Sequence, residues 1–125
     1  MIRICKVCGS SYLVEEHHIV FRSQNKQLIK CERNKIYLCY NHHRGTFGVH
    51  GSKGHDLDKK LKLEFQNELE LLWDKQYLTR EDIQQVLQIS EKALDKLLKT
   101  IQLDKDKYVR EDVLRAVMGG RMIIE

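Results

Sequence analysis

The chain has 125 residues, 42% hydrophobic and 32% charged, with 22 Lys/Arg against 18 Asp/Glu. That length suits one ordinary domain or two very small ones, and no apolar run approaches the ~18–20 residues of a membrane span. The net charge of +4 hides an asymmetry, because residues 1–55 carry +6 (nine basic, three acidic) and residues 56–125 carry −2 (thirteen basic, fifteen acidic). All four cysteines and all six histidines lie in the basic part. A basic, ligand-rich segment is expected to meet a polyanion, of which nucleic acid is the commonest.

The first residues, "MIRICKVCGS", lack the apolar core of an export signal, so the expected location is the reducing cytoplasm. In that reducing setting clustered thiols hold a metal more often than they form disulfides. Cys5-Lys-Val-Cys8 is a C-x-x-C knuckle, followed by short β-branched and aromatic runs ("IRIC", "SYLVEEHHIVF") and a polar connection, "RSQNKQLIKCER". "NKIYLCY" alternates Ile36, Leu38 and Tyr40 against Lys35, Tyr37 and Cys39, the period of a half-buried strand. It runs into Cys39-Tyr-Asn-His42, a second two-ligand knuckle at the same spacing. Cys5, Cys8, Cys39 and His42 together are the donor set of a closed, tetrahedral structural zinc site. The competing reading is buried thiols with Cys5/Cys8 as a redox pair, but no βαβ pattern surrounds them. Cys31 could compete with Cys39 as a ligand; without a partner at knuckle spacing it reads as a core thiol. Gly45, Gly48, Gly51 and Gly54 then recur at every third position, which forbids a regular helix and is expected to let the backbone approach a ligand closely.

From Asp56 the pattern becomes helical. Leu57, Leu61, Phe65, Leu69 and Leu72 form one stripe of a helix predicted to reach about Gln76. Thr79 with Asp82 reads as a capping-box start for a helix carrying Ile83, Val86 and Leu87, and Ser90 as the cap of another carrying Ala93, Leu94, Leu97 and Leu98. "DKDKYVREDVLRAVMGG" gives a polar turn, a short strand at Tyr108–Val109, and a helix stopping at Gly119–Gly120. The expected class is α+β, divided into residues 1–76 and a small helical module, 77–125.

"EEHHIVFRS", "ERNKIYLCYNHH" and "GVHG" resemble the HNH endonucleases, in particular the zinc-knuckle HNH proteins common in bacteriophages. The resemblance covers residues 3 to 60, with sixteen positions from His18 to Asn34 and nine from Asn34 to His43. It implies a ββα-metal (His-Me finger) fold that hydrolyses DNA phosphodiesters with one catalytic divalent ion: Mg²⁺, Mn²⁺, Ni²⁺ or Zn²⁺. Carried over, His17 and His43 are ligands of that ion, His18 is the general base, and Asn34 holds the loop and orients the base. The third ligand often lies four residues past the His43 position, which here is Phe47; His50 takes its place in the expected set. Arg22, Arg44 and Lys53 are expected at the phosphate backbone. His55 reads as a solvated or capping residue.

"LTREDIQQVLQISEKALDKLLKT…KYVREDVLRAV" resembles the helix-turn-helix of excisionase and MerR-type regulators, with "LQIS" as the turn. That implies DNA contact through Lys92, Lys96 and Lys99. A three-helix bundle that packs against the first part, or binds a protein partner through these helices, has the same apolar spacing. The competing function is a zinc-ribbon and helix-turn-helix regulator that binds DNA without cutting it.

Overall fold

The computed structural model describes residues 3–124, a mixed α+β fold with five helices and two small antiparallel sheets among those residues. Strand β1 (Glu15–His18) pairs antiparallel with β2 (Lys35–Leu38), Glu15 opposite Leu38 and His18 opposite Lys35. The long connection between them is pinned near its start by Asn34. Asn34, fully buried, accepts the Val20 N–H at 2.8 Å through Oδ1 and donates to the Val20 carbonyl at 3.0 Å through Nδ2. Both polar groups of a buried peptide are thereby satisfied, which hydrophobic packing alone would leave at a cost of roughly 1–3 kcal/mol each.

β2 stops at Leu38, two residues short of the alternation read from the sequence. Cys39 is extended (φ −70°, ψ 170°) and caps a single helical turn, α1 (Tyr40–His43). A coil over residues 44–54 leads to α2 (His55–Leu72), whose buried positions include Leu61, Phe65 and Leu69. α2 ends four residues before the predicted Gln76, because Trp73 leaves helical geometry (φ −98°, ψ 77°). Its indole turns into the core, donating to the Asp82 carbonyl at 3.1 Å, while Leu72 stays exposed. His55, the first residue of α2, is exposed.

Strand β3 (Tyr77–Leu78) pairs antiparallel with β4 (Tyr108–Val109). Between them, Thr79 and Asp82 close the capping box of α3 (Arg80–Leu87), and Ser90 accepts the Ala93 N–H to cap α4 (Glu91–Leu98). Gln88, left-handed at φ 49°, makes the tight turn joining the two. Lys105 and Asp106, also left-handed, form a two-residue hairpin closed by Asp104–Lys107 backbone bonds. α5 (Arg110–Val117) follows, stopped by Gly119 at φ 83° and Gly120 at φ 100°.

The main core crosses position 76. Ile19, Val20, Leu28, Cys31, Phe65 and Trp73 pack with Leu78, Ile83, Leu94, Val113 and others from the second part. The Cys31 thiol donates to the Leu87 carbonyl at 3.2 Å, and burial raises its pKa, as expected of a core thiol. A second, smaller cluster contains Cys5, Leu38, Cys39, Val49 and Leu61. Among the described residues no helix is long and apolar enough to cross a membrane.

Candidate metal centres

The two knuckles come together. Donor atoms of Cys5, Cys8, Cys39 and His42 all lie within 4.8 Å of one another. Cys8 Sγ is 3.7 Å from Cys39 Sγ, and His42 Nδ1 is 3.3 Å from Cys39 Sγ and 3.7 Å from Cys5 Sγ. A tetrahedral zinc with ~2.3 Å Zn–S and ~2.0 Å Zn–N bonds sets its donors roughly 3.5–3.8 Å apart, so the cluster has the size of that ion. All four cysteines are free thiols, and the 3.7 Å between Cys8 and Cys39 sulfurs is well beyond the ~2.05 Å of a disulfide. Burial opposes ionisation of Cys5, but backbone N–H groups of Cys39, Cys8 and Val7 outweigh it and bring the thiol down to about 6. The cluster is therefore positioned to hold a metal ion, with a donor set that suits zinc.

A second trio, His17, His43 and His50, also has its nitrogens within 4.8 Å. Ring centroids are 5.1 Å apart for His17–His43 and His17–His50, and 4.8 Å for His43–His50. Each histidine arrives from a different element. His17 comes from β1 and His43 from the last position of α1. His50 comes from the glycine coil, where His50 N–H donates to His43 O at 2.9 Å and ties the two histidines through the backbone.

The four glycines make that coil, although not in the expected way. Gly48, Gly51 and Gly54 each donate to the carbonyl of the glycine three residues before. A Cβ on Gly51 would strike the Gly45 and Thr46 carbonyls, and one on Gly54 the Gly48 carbonyl. The glycines are thus needed for the approach of the backbone to itself, where the sequence suggested approach to a ligand.

The electrostatics favour neutral imidazoles at His17 and His50. Burial, reinforced by the charges of His43 and His50, drives His17 down to about 3. Burial and the same neighbourhood lower His50. His17 Nε2 is buried with no hydrogen-bond partner, and in the tautomer protonated on Nδ1 it offers a lone pair that a cation would satisfy. His43 Nδ1–H donates to Glu15 Oε1 at 3.1 Å, which leaves Nε2 as its free nitrogen. Arg44 Nε grips the same carboxylate at 2.7 Å; Arg44 first, then His43, hold Glu15 down to about 2.

His18 sits beside the trio on the rim of the same open cleft, about 620 Å³ in volume. Its Nε2 lies 2.9 Å from the Ile29 carbonyl. A carbonyl only accepts, so a neutral His18 carries its proton on Nε2 and its lone pair on Nδ1. The Asn34 side chain hydrogen-bonds Val20, two residues past His18, and so holds the loop, while the His18 ring is bonded to Ile29 instead.

Of the expected phosphate contacts, Arg22 and Arg44 line the cleft, whereas Lys53 lies outside that lining, its Nζ 5.6 Å from the Phe47 ring. Lys92, Lys96 and Lys99 are exposed on or beside α4. The sequence reading missed three supports: Glu15, Phe21, whose ring is 5.7 Å from His17 and 5.2 Å from His50, and Lys62, whose buried ammonium lies 3.8 Å from the Phe21 ring. Glu15 had a signal, since it is two residues from His17 and shares its face of β1. Comparison with protein-family models, with curated proteins and with solved structures finds no match.

Proposed function

We propose that the protein is a metal-dependent HNH-type endonuclease that hydrolyses DNA phosphodiester bonds, with the cysteine-rich centre as scaffold and the histidine cleft as active site. The carrying observation is the trio of imidazoles with one orphaned buried nitrogen, set beside a fourth imidazole of fixed tautomer. An antiparallel strand pair leading into a helix that bears His43 is consistent with the ββα-metal arrangement the resemblance implies.

In this reading His17, His43 and His50 hold one divalent cation through neutral nitrogens. When bound, that cation supplies Lewis-acid stabilisation of charge on the phosphate and the leaving oxygen. His18 Nδ1 accepts the proton of the attacking water, a role suited to imidazole near neutral pH. The Ile29 carbonyl keeps Nε2 protonated and aims the ring. Arg22 and Arg44, on the rim, orient the phosphate. Cleavage in this manner leaves 5′-phosphate and 3′-hydroxyl ends.

The test is supercoiled plasmid incubated with protein stripped at the histidine site, single divalent ions being added back. His18→Ala should lose ~10²–10⁴-fold in cleavage rate while keeping its zinc and its fold. Unchanged nicking by that variant rejects the assignment. Tight DNA binding with no cutting under any ion favours the regulator instead.

A further inference from the structure

We propose that one DNA backbone lies across both parts of the molecule, on a cationic track from the histidine cleft over residues 22–27 to the exposed lysines of α4. This rests on the nucleic-acid reading above and extends it to where the substrate runs.

Two clefts meet end to end. The histidine cleft is lined by Phe21, Arg22 and Ser23 at one end. A second cleft, of about 340 Å³, begins at the same Ser23, continues along Gln24–Gln27 and is walled by Lys96, Leu97 and Thr100. Arg22 and Arg44 line the first cleft, and Lys26 and Lys96 line the second, which shares Ser23 with it. The single carboxylate lining either cleft is Glu16, whose Oε1 lies 4.0 Å from Lys35.

Residues 56–125 are net acidic, yet the acids of α4 and α5 are engaged in ion pairs. On α4 itself, Glu91 and Asp95 both pair with Arg80, at 2.8 and 2.6 Å. On α5, Glu111 and Asp112 pair with Arg115 at 3.2 and 3.5 Å. Lys92, Lys96 and Lys99, spaced along one helical stripe, are left facing water. Arg44 is clamped by Glu15, but Arg22, Lys26 and Lys96 carry no ion pair among the described residues, and such a row of cations is the footprint expected of a phosphate backbone.

The bed of the track is fixed. Asn25 is buried, donates to the Ala116 and Val117 carbonyls at 3.1 Å each, and accepts the Gln27 N–H at 3.0 Å. Gly119 lies so close to this segment that a Cβ there would be 3.0 Å from Gln24 Cβ. The histidine cleft and α4 therefore hold a set spacing, and a duplex engaged by one is presented to the other.

The experiment measures anisotropy of a short fluorescein-labelled DNA duplex titrated with KCl, in a His18→Ala background so that cutting cannot interfere. Lys26→Gln/Lys96→Gln should lower the slope of log affinity against log salt by about 2, with each single change lowering it by about 1. Lys105→Gln, in the remote Asp104–Lys107 turn, should match the parent. Circular dichroism and zinc content check folding, and the single variants carry the test should the double variant not fold. A parental slope in the lysine variants overturns the track, as does a parent protein with no salt-dependent affinity for the duplex. Binding along the track with no cutting by the unsubstituted protein would instead sink the hydrolysis and leave the track standing.

Discussion

Glu15 shows how much one side chain outside the ligand set decides. Its carboxylate takes the Nδ1 proton of His43 and is itself clamped by Arg44, so ring and tautomer are set before any cation arrives. Losing such a partner typically weakens metal affinity ~10–100-fold. Glu15→Ala should therefore bind Mn²⁺ or Ni²⁺ at the histidine site correspondingly less tightly by calorimetry, with zinc content unchanged. Glu15→Gln keeps an acceptor oxygen and should recover part of the loss; equal affinity in all three proteins would mean that the backbone alone orients His43. The sign of the pH effect follows from a depressed carboxylate: the link is intact above the ordinary value of 4.5 and fails only as pH falls toward about 2, so the deficit should be constant through neutral pH. At this scale the sequence was informative where chemistry is local. Ligands three residues apart announce a knuckle in any fold. Glu15 offered only its place on the His17 face of β1, and buried Lys62 offered nothing, because a lysine on a charged helix reads as solvated until packing places it.

Among the elements, the glycine coil couples covalent geometry most directly to the site. Its backbone is wound so tightly that a methyl group at position 51 has nowhere to go but into the Gly45 and Thr46 carbonyls. The coil must open to accept it, and His50, one residue away, must move relative to His43. Gly51→Ala should consequently lose divalent-ion binding at the histidine site while retaining zinc, measured by metal analysis after dialysis against each ion. Retention of both metals would show that the coil yields without disturbing the ring. The helices were legible because their signals are periodic or lie within four residues: the Thr79–Asp82 box, the Ser90 cap and the leucine stripes. The end of α2 was not, since it is set by Trp73 finding a carbonyl nine residues on. β3 escaped for a like reason: two residues carry no period, and its partner lies some thirty positions later.

For the molecule as a whole, the two hydrophobic clusters should respond differently to loss of zinc. The main core draws on both parts of the chain and contains none of the four knuckle ligands. The smaller cluster has only five buried members, and two of them, Cys5 and Cys39, are ligands. Without the ion nothing bridges the two knuckles, and too little apolar surface remains to hold the region against chain entropy. Chelation should therefore melt the knuckles, α1 and the glycine coil, and with them the meeting of His43 and His50, while the helical core persists. The single tryptophan makes this visible: Trp73 is buried and bonded to Asp82, so its emission should stay blue-shifted after chelation. Hydrogen exchange should remain slow in α3–α5 and become fast across residues 3–12 and 39–54. Acid should act in the same direction, zinc being lost more readily as pH falls through about 6, where the Cys5 thiolate of the metal-free knuckle regains its proton. A red shift of Trp73 in step with zinc release would instead make the metal a staple for the entire fold, and the two clusters a single cooperative unit.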